Sequence, residues 1–246
     1  MKIIRNDRLI RRNSRIGGAA TLIGLALLVG GMIVTFAIPS LLALSWLFLL
    51  AGFMVSQMGV YYGGKFGRSP RPDELLDRSL KGMDERYTIY HYIGPVPHLL
   101  IGPAGLWILL PRNQNGKIVY TKGRWRQTKT GCLQAYLRFF AQEGIGRPDL
   151  DIPVETQSLI KYFNKNQPEM EIPPIQTALV FTNENTELDL DDAPTPSLPA
   201  KELKEFIRKK AKEQSFSMTK VKEITAGLEK DLPPPKKEGA EKKSDS

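Results

Sequence analysis

The sequence predicts an α/β (α+β) soluble domain, a mixed sheet flanked by helices, preceded by a two-helix transmembrane hairpin. Two observations predict the hairpin. The runs from about Gly17 to Ile38 and from about Leu41 to Tyr62 contain no Asp, Glu, Lys, Arg or His. At about 1.5 Å per helical residue, roughly 20 residues cross a hydrocarbon core about 30 Å thick, and both runs reach that length. A third observation predicts the domain. After Tyr62 the order is helix, three or four strands, two helices, strand, helix, which packs as helices around one mixed sheet.

Residues 1–16 read as a basic N-terminal segment, with Lys2, Arg5, Arg8, Arg11, Arg12 and Arg15 against Asp7 alone. Lys65, Arg68 and Arg71 follow the second run, while the Pro39-Ser40 link has no charge. Cationic flanks stay on the cytoplasmic side, so the N-terminus and the soluble domain are both expected there, in a bacterial plasma membrane. The same cations suit anionic lipid heads. A cleaved secretory signal would have a single apolar core of about 7–15 residues, which two long runs do not match. Gly17, Gly18, Gly24, Gly30 and Gly31 on the first span, with Ala51, Gly52, Ser56 and Gly59 on the second, allow close backbone approach. Packing within the hairpin is the simple use of these residues, and a dimer interface is the other.

Residues 63–70 then form a linker, 71–230 the soluble domain, and 231–246 a proline- and charge-rich tail expected to be disordered. A fragment from about Ser69 to Leu232 is long enough to bury its own core and is expected to fold alone. The formal net charge is +9. Much of that excess lies before the first span, so it argues little for nucleic-acid binding. Cys132 is the single cysteine, which excludes an internal disulfide.

Along the domain, Ser69-Pro70-Arg71-Pro72-Asp73-Glu74 begins a helix whose apolar stripe is Leu75, Leu76, Leu80 and Met83. Tyr87–Ile93, His98–Ile101 and Leu106–Leu110 read as strands, the last apolar enough for burial on both faces. Asn113-Gln114-Asn115-Gly116 reads as a hairpin turn into a strand over Lys117–Tyr120. Leu133–Ala141 and Val154–Asn164 read as helices, Ile175–Phe181 as a buried strand, and Asn183–Pro199 as an acidic, proline-rich loop. Helices over Lys201 to about Lys212 and Met218–Leu228 complete the pattern.

The stretch ELLDRSLKGMDERYTIYHY followed by PHLLIGPAGLWILLPRNQNGKI resembles the nuclease-related domain (NERD) family. The resemblance covers roughly residues 70–180, and the Gly102-Pro103-Ala104-Gly105 turn between two apolar strands is its most specific part, with Gly116 after it. It implies a restriction-endonuclease-like core. In that family a helical Glu, an Asp before the turn and a Glu-x-Lys after it form the metal-dependent site. Here Glu74 matches the helical Glu, Pro97 stands at the Asp position, and Leu110-Pro111-Arg112 stand for Glu-x-Lys. Mg²⁺ needs oxygen ligands, and an arginine that stays charged is a poor base. The expectation is therefore a catalytically degenerate, non-enzymatic domain with no metal and no cofactor. Glu74 and Arg112 would be vestiges of the site, and binding or scaffolding the role. An active membrane-tethered nuclease and a structural subunit of a membrane complex are the alternatives.

Each candidate residue has a plainer use. Glu74 suits a helix start. Arg112 and Gln114 follow a buried strand end, where ligands dock in α/β sheets, but also where solvated turns lie. Arg124, Trp125 and Arg126 mix cations with an aromatic, as single-strand binders do, or form a hairpin edge anchored by one Trp. His98 suits a strand histidine with a satisfied hydrogen bond better than a metal ligand. The acidic loop from Glu184 to Asp192 lacks EF-hand spacing. Nucleic acid or a protein remain as soluble partners beside the membrane, and no small-molecule substrate is evident.

Overall fold

The apolar runs form two long helices in a computed structural model that describes residues 1–128, 145–190, 192–214 and 216–229. Helix α1 spans Asp7–Ala37 and helix α2 Leu42–Tyr62, joined through a short 3₁₀ turn at Pro39–Leu41. Both are long and apolar enough to cross a membrane. Small residues set their contact. A Cβ built on Gly24 would lie 2.8 Å from the Ser56 nitrogen, and one on Gly59 would lie 2.8 Å from the Thr21 nitrogen, so only glycine fits either position. The outward side carries Leu22, Phe36, Trp46 and Leu50, all strongly exposed. So large an apolar surface is costly in water and suits lipid.

The helix boundaries differ from the charge-free runs. α1 begins ten residues before Gly17, because Asn6 caps it: its Oδ1 accepts from the Leu9 amide at 3.0 Å. The expected basic segment is therefore largely the first turns of the spanning helix. The expected linker is also structured at its start, where Gly63–Gly67 continue α2 as a π-helical turn.

The domain's main sheet has six strands. In spatial order they are β1 (Lys2–Arg5), β2 (Thr88–His91), β3 (His98–Gly102), β4 (Gly105–Arg112), β7 (Ile175–Phe181) and β9 (Ser197–Pro199). β2-β3-β4 is antiparallel, while β1 lies parallel to β2, and β7 is parallel to both β4 and β9. A second sheet holds, in spatial order, β6 (Arg124–Thr128), β5 (Gly116–Thr121) and β8 (Thr186–Asp189). Asn113–Gly116 thus passes the chain from one sheet to the other and is not a hairpin turn, since β5 pairs with β6 and β8 rather than with β4.

Strand alternation divides the main sheet into two apolar faces. Leu99, Ile101, Leu106, Ile108, Leu179 and Phe181 point to one side, with Leu159 and Phe163 of α4 (Pro148–Asn166) and Ile224 and Leu228 of α6 (Met218–Glu229). Leu100, Trp107, Leu109, Ala178 and Val180 point to the other, with Leu76 of α3 (Pro72–Ser79) and Leu203 and Ile207 of α5 (Leu203–Glu213). The result is the expected mixed α/β arrangement. The Leu133–Ala141 helix and Cys132 lie outside the described residues.

One strand has an unexpected origin. β1 precedes the hairpin in sequence yet pairs with β2 along its length, Lys2 opposite Thr88 and Arg5 opposite His91. The Lys2 amide also donates to the Tyr87 carbonyl at 2.8 Å, and the Asn6 amide to the His91 carbonyl at 3.0 Å.

Candidate functional site

The densest polar cluster lies where β1, α3, β2 and β3 meet. Asp73 and Asp77 stand four residues apart on α3 and so share a face. Asp73 is fully buried and held by two guanidinium groups. Arg71 reaches it with Nε at 3.1 Å and Nη2 at 3.2 Å. Arg5 Nε lies 3.0 Å from Asp73 Oδ2, an ion pair off the line of a hydrogen bond. Arg5 Nη2 meets Asp77, which also contacts His91 Nε2 at 2.9 Å.

The two histidines sit opposite one another in the β2–β3 register, with their Nδ1 atoms 2.8 Å apart. One Nδ1 must donate and the other accept. In the tautomer that lets His91 Nε2 donate to the Asp77 carboxylate and leaves its Nδ1 bare, His98 Nδ1 donates to His91. Burial first, and then the neighbouring His91, Lys65 and Arg5, hold His98 well below the usual imidazole range. The cluster therefore holds His98 neutral.

The apolar hairpin roofs this cluster. Tyr92 takes a left-handed φ of 57°, and its amide donates to the Pro97 carbonyl at 2.8 Å. Its ring lies 5.1 Å from that of Phe66 and 5.0 Å from that of His98. Phe66 belongs to the turn after α2, and Ile10 of α1 completes the contact. Burial raises the Tyr92 phenol, so it stays protonated. Asp73, His91 and His98 have almost no solvent contact. Groups this closed are shut off from solvent, and the network joins the hairpin to the domain.

Glu74 sits at the edge of the joint. Its carboxylate accepts from the Arg71 amide at 3.1 Å and the Ser69 hydroxyl at 3.0 Å, and pairs with Arg71 Nη2 at 2.9 Å. Burial opposes its charge, but these hydrogen bonds outweigh burial and lower its pKa. It caps α3. Pro97 supplies only its carbonyl to the Tyr92 amide, and Leu110 is buried in the core on the α4 side. Arg112 Nη2 meets Asp151 of α4 at 2.5 Å, and its carbonyl accepts from the Thr182 amide at 2.8 Å. The Gln114 carbonyl accepts from the Thr186 hydroxyl at 2.6 Å. Burial raises Glu155 nearby, opposed by Lys65. Among the described residues, no three His, Cys, Asp or Glu side chains are grouped to hold a metal ion.

β6 separates the basic-aromatic triplet. Arg124 and Arg126 are exposed on one face, whereas Trp125 is half-buried, packs against the core and lies 5.1 Å from the Tyr120 ring. Arg124 and Trp125 border an open cavity of about 370 Å³ with Arg147 and Asp149.

Sequence reasoning passed over Arg5, Asp73, Asp77 and His91. Part of the signal was present: a short turn places His91 and His98 opposite each other, and Asp73 and Asp77 have helical spacing. Nothing in the sequence tied Arg5 to them across the hairpin. No family model, curated protein or solved structure matches the chain.

Proposed function

We propose that this is an integral membrane protein whose cytoplasmic, NERD-like domain binds or scaffolds a partner and does not hydrolyse nucleic acid. The observation that carries the reading is the fate of the nuclease-like positions. Leu110 faces an apolar core, Arg112 is paired to Asp151, and Glu74 caps a helix. A hydrolytic metal site needs converging oxygen ligands and an open coordination position. Asp73 and Asp77 are instead held by Arg5 and Arg71 in a closed joint.

The test uses the full chain in detergent, incubated with duplex DNA or single-stranded RNA and Mg²⁺ or Mn²⁺. No cleavage is expected. Metal-dependent cleavage abolished by Glu74→Ala would overturn the reading in favour of the tethered nuclease. Reporter fusions at Met1 and Ser246 are both expected to signal cytoplasm.

A further inference from the structure

The six cations before the first apolar run fall into two sets. Lys2 and Arg5 are used inside the protein: Lys2 Nζ lies 2.7 Å from Glu229 Oε1, and Arg5 holds Asp73 and Asp77. Arg8, Arg11, Arg12 and Arg15 are exposed and form no ion pair or hydrogen bond among the described residues. All four lie on α1 at i, i+3, i+4 and i+7. With about 3.6 residues per turn, that spacing places them on one face. Ile10, Asn13, Gly17, Ala20 and Gly24, the buried side of α1, lie on the opposite face.

The fold gains nothing from this stripe. Cations near a helix N-terminus oppose its dipole, and like charges three and four residues apart repel. An anionic ligand outside the protein would offset those terms, beyond the part the cations play in setting topology. Position identifies its class. The apolar run starts within a turn of Arg15, and seven residues of helix back to Arg8 span about 10 Å. The polar layer on each side of a bilayer is about 5–8 Å deep. Arg15 and Arg12 therefore fall within the headgroup zone on the side of the soluble domain, while Arg11 and Arg8 lie past its outer edge and reach back along their side chains; the planar guanidinium fork matches phosphate oxygens in pairs.

We propose that Arg8, Arg11, Arg12 and Arg15 form a docking face for the phosphate groups of anionic phospholipids in the leaflet next to the domain. The inference rests on the membrane-spanning reading of α1 and α2. Nucleic acid fits the stripe less well, because residues 7–16 of α1 include no Phe, Tyr or Trp to stack a base and the apolar run adjoins the stripe at Arg15.

The test reconstitutes the full chain into phosphatidylcholine vesicles and compares the protein-bound fractions of spin-labelled phosphatidylglycerol and spin-labelled phosphatidylcholine. Symmetric vesicles make the orientation of the protein irrelevant. Wild type is expected to prefer phosphatidylglycerol, and the preference should shrink at high salt. One basic residue near an anionic surface is worth about fivefold. Replacing all four by Gln should thus lower the preference at least about tenfold, while four Arg→Lys changes keep most of it. The pair Arg8→Gln/Arg15→Gln serves where the quadruple variant does not insert. Equal binding of the two lipids by inserted wild type overturns the proposal, as does a Gln variant with unchanged preference. An oligonucleotide that binds through these arginines without any lipid preference also overturns it. Protein that washes off vesicles at alkaline pH would refute the membrane reading itself.

Discussion

Asp73→Asn tests the joint between anchor and domain with almost no change of shape. Asp73 is fully buried between Arg5 and Arg71, whose side chains are 23% and 20% exposed. An Asn keeps one acceptor oxygen but turns an NH₂ toward the second guanidinium, which then faces a donor. Removing one partner of a buried ion pair costs about 3–5 kcal/mol. The low end applies, because Arg5 retains Asp77 and Arg71 retains Glu74. For a chain of this size, each kcal/mol moves the melting midpoint by about 2–4 °C. About 3 kcal/mol therefore predicts a fall of about 6–12 °C, read by intrinsic fluorescence of the full chain in detergent. Asp84→Asn, which removes an exposed carboxylate paired to Arg86, is the control and should leave the midpoint in place. A double-mutant cycle with Arg5→Gln should show strong coupling. Equal midpoints for Asp73→Asn and wild type, or additive single effects in the cycle, would refute the joint.

Three further outcomes follow from the same geometry. His98 has a depressed pKa when folded, so both states are neutral above about pH 6.5, and below it only the unfolded state takes up the proton. Stability should fall by about 1.4 kcal/mol per pH unit below that point until the folded-state pKa is reached, and His98→Gln should flatten this part of the melting-midpoint profile. In the hairpin, Gly24→Leu and Gly59→Leu should force the helices apart and lower the midpoint, whereas Gly18→Leu and Gly30→Leu, whose Cβ atoms meet open space, should not; equal effects of all four would refute this helix crossing. A fragment from Ser69 to Leu232 should be less stable than the same fragment with Met1–Asn6 fused ahead of Ser69 through a flexible linker, as measured by hydrogen exchange of the β2 amides.

The hairpin and most of the domain's elements were legible because each follows from periodicity within a short window. The absence of charge over Gly17–Ile38 and Leu41–Tyr62 needs no partner to interpret, and Ile175–Phe181 is apolar and β-branched enough to stand out alone. What was missed depends on partners distant in sequence. Ser197–Pro199 is a strand only because β7 offers its edge, and Thr186–Asp189 only because β5 does. Asn113–Gly116 has hairpin chemistry, but the strands it joins enter different sheets. At the candidate site, Glu74 as a helix start and His98 as a hydrogen-bonded strand residue could be read locally. The Arg124-Trp125-Arg126 triplet could not, since strand alternation sends its aromatic and its cations to opposite faces.

Lys2–Arg5 carries the largest consequence. The sheet begins with a strand made before the hairpin and continues with one made after it, so the apolar hairpin is an insertion between the first two strands of the domain. A domain hung on a linker can tumble about its tether. Here the chain leaves the sheet at Asn6, enters α1 at Asp7 and returns through Gly63–Gly67, with Phe66 packed on Tyr92 above the Asp73–Arg5 joint. Removing β1 would expose the edge of β2 and strip Asp73 and Asp77 of a shared cation at the same time. β1, the edge of β2 and the joint are therefore expected to fold and fail together. If the hairpin spans a bilayer as proposed, such an arrangement holds one face of the domain at a fixed tilt to it.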